Sequence, residues 1–298
     1  MKEIRKILVF LLGSALIGAL LAPWLFWGGK WLAERTQWQF LIEADFHQFF
    51  DRAVLIAAVA LIWPTFRSLE VRSLSQLGLE RDPQGWRHFG IGFACAFCCM
   101  AAFGALLFWL EVYKWKSDLP LGQLWKVALS AITVGLLEEW LFRGVILGLF
   151  RRALVDWMAV LSTSAIFAIV HFLKPPGDNT GPIDWLSGLR ALPSCFEKFS
   201  EPALLGAGFS TLFLIGCVLG WAVLRTRGLW LSVGLHAGWV LSKFGFTKLT
   251  KRKITDTMPW LGEDMIVGVG ALAVVALTWL LVWLLIRYAG SRNRASHR

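Results

Sequence analysis

The sequence predicts an all-α fold: a multi-pass transmembrane bundle of about eight helices around a membrane-embedded polar cavity. Two observations carry this. The 298 residues are 57% hydrophobic and only 17% charged, against roughly 45–50% and about 25% in an ordinary soluble domain. The apolar residues also come in blocks long enough to span hydrocarbon, and a few ionisable side chains lie inside those blocks rather than between them.

The blocks fall at about 7–28, 52–66, 89–113, 123–150, 154–173, 202–224, 229–248 and 264–287. In lipid the backbone must satisfy its own hydrogen bonds, so each block must be a helix. The first follows Lys2, Arg5 and Lys6 and runs for 22 apolar residues through Trp24 and Trp27. That is longer than a signal-peptide core, so it is read as an uncleaved span. The whole of 1–298 is expected to form a single transmembrane domain, with a catalytic core at about 120–248. Loops 151–153 and 225–228 are short and carry two Arg each, which favours an N-terminus on the inside. The basic stretch Lys248, Lys251, Arg252, Lys253 opposes it.

A net charge of +10 would suggest nucleic acid in a soluble protein. Here the basic residues flank spans, where they set topology and meet anionic lipid, so no nucleic acid is expected as a partner. Of the five cysteines, Cys95, Cys98 and Cys99 sit inside an apolar block as packing residues, and with Cys195 and Cys217 they imply no disulfide framework. The connector 67–88 offers Leu69, Leu74, Leu77 and Leu79 to a short interfacial helix. The loop 174–201, with Pro175, Pro176, Pro182 and Pro193, is a connector or a lid over a membrane site.

The fourth block carries Glu138, Glu139 and Arg143 near its middle. A charge at such depth costs at least ~2.5–3.5 kcal/mol on insertion scales. Glu139 and Arg143 are four apart and pair on one face, an ion-pair brace. Glu138 points about 100° away and is not explained by that brace; such unpaired groups cluster at working sites. Gly144 and Gly148 form GxxxG, with Gly135 preceding, which predicts a helix packed closely on this span. The fifth block carries His171, with Phe167 one turn before it, and the seventh carries His236 about two turns in.

A bundle can converge one carboxylate and two imidazoles on one cavity. Glu138 can take a proton from water, His171 can hold that water or donate to a leaving amine, and His236 can donate to a developing oxyanion. The same three side chains are zinc-ligand types. The HExxH, GxSxG, GxxxxGK[ST] and GxGxxG patterns are absent.

In this order the residues resemble the CAAX-protease and bacteriocin-processing (CPBP, or Abi) family, relatives of the Ras-converting endopeptidase. Glu138-Glu139-Trp140-Leu141-Phe142-Arg143 matches its EExxxR motif, Phe167 to His171 its FxxxH motif, and His236, entered through Arg227-Gly228-Leu229-Trp230, its later histidine. Val240 departs from the Asn or Asp often found there, and Trp239 has a donor but lies about 60° off that face. The resemblance implies an eight-helix intramembrane endopeptidase that uses a glutamate-activated water. Glu138 is then the base, Glu139 and Arg143 hold the motif in place, and His171 and His236 assist. Phe167, Trp239 and Val240 would line the substrate cavity. No cofactor is needed in a glutamate mechanism; a divalent metal such as zinc would sit on Glu138, His171 and His236.

The expected partner is a membrane-bound peptide or protein tail, cut in C-terminal processing, sorting-tail trimming or a bacteriocin- or immunity-type role. The expected location is a prokaryotic inner membrane. Two rival classes are open at this point: a non-catalytic membrane scaffold or immunity protein of the same fold, and a proton-coupled transporter that uses intramembrane Glu and His as relays.

Overall fold

The computed structural model describes residues 2–77, 79–173, 182–197, 202–255, 258–261 and 265–295. Pro175 and Pro176 of the long loop lie outside the described residues. Each apolar block becomes a helix: α1 (Lys2–Thr36), α2 (Phe46–Ser68), α3 (Gly85–Trp109), α4 (Leu124–Glu139), which continues through a π-helical segment (Trp140–Ile146) into α5 (Leu147–Arg151), and α6 (Asp156–Phe172). A short α7 (Ser187–Ser194) precedes α8 (Pro202–Thr226), α9 (Trp230–Leu249) and α10 (Val269–Ala295). Five of these helices are long and apolar enough to cross a membrane by length and composition. Their outward faces carry Leu8, Val9, Leu12, Trp63, Leu280 and Leu284, as expected of helices whose surroundings are as apolar as their core. The chain is a multi-pass membrane protein.

The helices that position the polar residues, α4, α6 and α9, are not among these five. α9 packs on α3 and α4, and α6 packs on α8. The α9–α3 contact is close because both contribute glycines. A Cβ at Gly238 would lie 2.7 Å from the Phe93 carbonyl oxygen, and one at Gly92 would lie 2.6 Å from that of Leu231. Removing side chains there lets the two backbones meet, so that α9 turns its opposite face to α4. Beyond these ends, β1 (Tyr113–Trp115) pairs antiparallel with β2 (Thr250–Arg252), in the register Lys114 to Lys251. This ribbon ties the end of α3 to the end of α9.

Two sequence expectations are corrected. Among the described residues, the connector 67–88 forms no amphipathic α-helix of its own. Between α2 and α3 it holds a 3-10 turn (Leu74–Leu77), and Leu69, Leu77 and Leu79 point into the core while Leu74 is exposed. The GxxxG pair does not receive a helix either. Gly148 faces Leu77, a Cβ there lying 2.6 Å from the Leu77 Cβ, and Gly144 faces Leu79 and Leu229. The connector folds over this glycine-lined surface because its leucines gain burial there. The glycine that meets a helix is Gly135, against the backbone of Ala237.

The cysteines act as packing residues. All five are free, Cys99 and Cys195 buried and Cys98 exposed. In the 174–201 loop, α7 docks on α1 and α2: Ala191 and Cys195 join Ala19, Ala22, Phe46, Phe50 and Ala53 in a small apolar cluster.

Candidate active site

The site forms where α4, α6 and α9 converge. Its foundation is a buried ion pair. Arg143 Nη1 donates to Glu139 Oε1 at 2.9 Å, with both side chains fully buried. A charge pair removed from water is retained only with further partners. Here Arg143 Nη2 reaches the Gly216 carbonyl at 3.4 Å, and the guanidinium lies 4.4 Å from the Phe167 ring centroid, a cation–π contact in a dry setting. Gly216 is a glycine for space, since a Cβ there would lie 2.7 Å from that of Ser164.

The same Glu139 oxygen accepts a second hydrogen bond, from His236 Nδ1 at 2.8 Å. His171 Nδ1 donates to the Phe167 carbonyl at 2.8 Å, a bond within its own helix. An imidazole that donates through Nδ1 presents Nε2 to its other side. Both Nε2 atoms face one carboxylate oxygen: Glu138 Oε2 lies 3.7 Å from that of His171 and 3.8 Å from that of His236. Glu138 and His171 are each about one-quarter exposed, whereas Glu139 is fully enclosed. The adjacent glutamates therefore occupy opposite environments, one braced and buried, the other open.

Phe167 sits at the centre of the wall behind the site. It is 1% exposed, edge-on to Phe142 at 5.1 Å and to His236 at 6.1 Å, and tilted against His171 at 4.3 Å. Trp239 is buried, its indole N–H without a hydrogen-bond partner among the described residues, and Val240 is half-buried beside it. All five polar residues singled out in the sequence thus meet in one cluster. Phe167 backs that cluster from inside the core.

Sequence reasoning missed two contributors. The π-helical segment begins directly after Glu139, in the stretch that carries Glu138, Glu139 and Arg143; such segments recur at functional positions. It has no signal in the residue pattern. The second is the glycine pair Gly234 and Gly238, whose spacing is plain in the sequence and which seats α9 against α3. His236 lies between them and faces away from that contact.

Glu138, His171 and His236 are the donors that would hold a divalent ion, and their Nδ1 bonds are of the type that orients metal-bound imidazoles. Among the described residues, no group of three or more His, Cys, Asp or Glu side chains closes to metal-binding geometry.

Residues 120–242 match the family described as type II CAAX prenyl endopeptidase Rce1-like. No curated protein and no solved structure matches the chain. The matched stretch covers about two fifths of the chain and contains every residue of the cluster. Over that stretch the chain is similar to the type II CAAX prenyl endopeptidase family of membrane proteases.

Proposed function

We propose that the protein is a glutamate-type intramembrane endopeptidase that hydrolyses a peptide bond in a membrane-associated peptide or protein tail. One observation carries this reading: Glu138 Oε2 is near-equidistant from the two imidazole Nε2 atoms, at 3.7 and 3.8 Å. Those separations are too long for direct hydrogen bonds and suit three groups that share one small molecule between them. A water held there meets a carboxylate base and two imidazole nitrogens.

Glu138 takes the water proton as the oxygen attacks the scissile carbonyl. The negative charge that develops on the carbonyl oxygen is met by the imidazole of His236, which Glu139 behind it orients through Nδ1. His171, on the open side, relays the proton that Glu138 took from the water to the leaving nitrogen. The bond to that nitrogen breaks, yielding one acid and one amine terminus. Val240 supplies no polar group, so the oxyanion relies on the histidines. Glu139 and Arg143 touch no reacting atom in this scheme; they hold His236 and Phe167 in place.

The test compares membrane-protein termini by mass spectrometry in cells with the wild type and with Glu138→Gln at matched abundance. Termini found only with the wild type support the reading and identify the substrate and the cut position. Identical termini overturn it in favour of a scaffold of this fold. Cleavage that persists after chelation supports a water held by protein groups alone, and cleavage lost on chelation and restored by zinc places a metal on the same three residues.

A further inference from the structure

A cavity lies towards the far end of α4 and α9, its α4 lining (Lys126, Val127 and Ser130) about 12–18 Å along the helix from Glu138 at 1.5 Å per residue. It has a volume of about 590 Å³ and is lined by Lys116, Lys126, Lys248, Gln123, Ser130 and Thr247 among others, with no carboxylate in its wall. Two of the ammonium groups are held in place: Lys116 donates to the Thr247 carbonyl at 2.9 Å and Lys248 to Gln123 Oε1 at 3.3 Å. Each ammonium has three protons, so both retain donors for a ligand. Three positive charges around one concavity repel one another unless an anion joins them.

A second cavity of about 480 Å³, almost wholly apolar, lies at the same end of α9. It runs between α3 and α9, with Phe97, Met100, Phe108, Trp115 and Phe246 in its walls. Chain neighbours line the two: Trp115 follows into Lys116, Gln123 into Leu124, and Lys248 into Leu249. Trp109, Trp115 and Trp125 are exposed around this end of the bundle, as tryptophans are at the depth of lipid headgroups.

We infer that these two cavities together form a binding site for an anionic phospholipid, its phosphate among Lys116, Lys126 and Lys248 and an acyl chain in the slot between α3 and α9. The charge selects an anion, and the apolar slot lined by the lysines' chain neighbours selects a lipid over a free phosphate. Basic pockets between spanning helices hold anionic headgroups in this manner. A lipid seated there would bridge the start of α4 to the end of α9, the two helices that carry Glu138 and His236.

The test titrates phosphatidylglycerol and phosphatidylcholine of identical chains onto the full-length protein in neutral detergent, read by native mass spectrometry. The wild type is expected to bind phosphatidylglycerol at least about tenfold more tightly. The triple variant K116Q/K126Q/K248Q, altered only at exposed side chains, is expected to lose that preference and roughly hundredfold in affinity. Gly245 lines the slot, and a Cβ there meets nothing within 4 Å. Gly245→Leu is therefore expected to fill the slot without disturbing the fold, weakening phosphatidylglycerol about tenfold while the headgroup preference stays. Equal binding of the two lipids, or unchanged affinity in the triple variant, overturns the proposal. Inorganic phosphate that displaces the lipid at equal concentration, together with an inert Gly245→Leu, reduces the site to a free-anion site and also overturns it. Thermal unfolding of each variant, within a few degrees of the wild type, shows that the fold is kept.

Discussion

His236 Nδ1 lies 2.8 Å from Glu139 Oε1, across 97 residues of sequence, and the same oxygen binds Arg143 at 2.9 Å. One buried atom therefore orients an imidazole and neutralises a guanidinium. Because those two tasks meet in one carboxylate, stability and activity separate cleanly by substitution. Glu139→Ala leaves Arg143 buried and unpaired and is expected to destabilise the protein by about 3–5 kcal/mol. Glu139→Gln keeps the volume and an acceptor but loses the charge behind His236. Cleavage is then expected to fall about 10–100-fold with a smaller stability loss. Thermal unfolding and cleavage rates of both variants check this. Equal stability loss in the two would show that the brace, and not the orientation of His236, is what the carboxylate provides.

Glu138→Gln is expected to leave unfolding unchanged within about 0.5 kcal/mol, because this side chain is partly exposed and makes no ion pair with Arg143. Cleavage is expected to drop by about 10²–10⁴, the usual contribution of a general base. The comparison with Glu139→Ala is decisive: adjacent glutamates should fail in opposite ways.

Phe167 contacts Arg143, Phe142, His171 and His236 at once. Phe167→Ala should cost about 3–5 kcal/mol. Phe167→Leu retains most of the volume and should cost under about 1.5 kcal/mol. It nevertheless removes the ring against which His171 and Arg143 rest. The expected outcome is a folded protein with cleavage reduced at least several-fold, measured at saturating substrate so that the loss appears in kcat.

Gly238→Leu forces a side chain into the Phe93 carbonyl and Ala96 on α3. Overpacking of this kind costs about 1–3 kcal/mol or more, and displacing α9 moves His236. Both stability and cleavage should fall. Gly245→Leu, seven residues along the same helix and facing open space, should leave stability unchanged. A melting-temperature comparison of the two variants tests whether the effect belongs to the α3–α9 contact.

Asp184 stands before α7, where its carboxylate accepts from the Leu186 backbone N–H at 3.0 Å and pairs with Arg190 at 2.8 Å. The Arg190 bond, aided by the Leu186 and Ser187 donors, holds its carboxyl below the usual aspartate range. A lowered carboxylate stabilises its surroundings fully at neutral pH, and that contribution is lost only as pH falls through the lowered value. Asp184→Ala should therefore loosen α7 already at pH 7. Cys195, buried at the end of this segment, should then react several-fold faster with a maleimide, while exposed Cys98 labels at the same rate in both proteins.

The apolar blocks were legible in sequence because a spanning helix must satisfy its own backbone bonds, so length and composition alone define it. The first, second and last helices run beyond their apolar blocks, since helices continue into the interface where hydropathy no longer marks them. The connector 67–88 was not legible in the same way. Four leucines in a polar stretch suit an amphipathic helix equally well, and only the glycine-lined surface of the π segment and α5 drew Leu77 and Leu79 inward.

By itself the sequence singled out the polar residues that meet in the cluster. Glu138, Glu139, Arg143, His171 and His236 are polar in segments where polarity costs several kcal/mol, so their presence alone marks them as candidates for one site. The tertiary structure alone decided which atom of His236 meets each glutamate. Adjacent glutamates differ by 100° of helix rotation, and it is the packing of α9 on α3 through Gly234 and Gly238 that brings His236 to both of them, Nδ1 to the buried one and Nε2 to the open one. No spacing in the sequence encodes that choice, because it depends on where three separate helices meet.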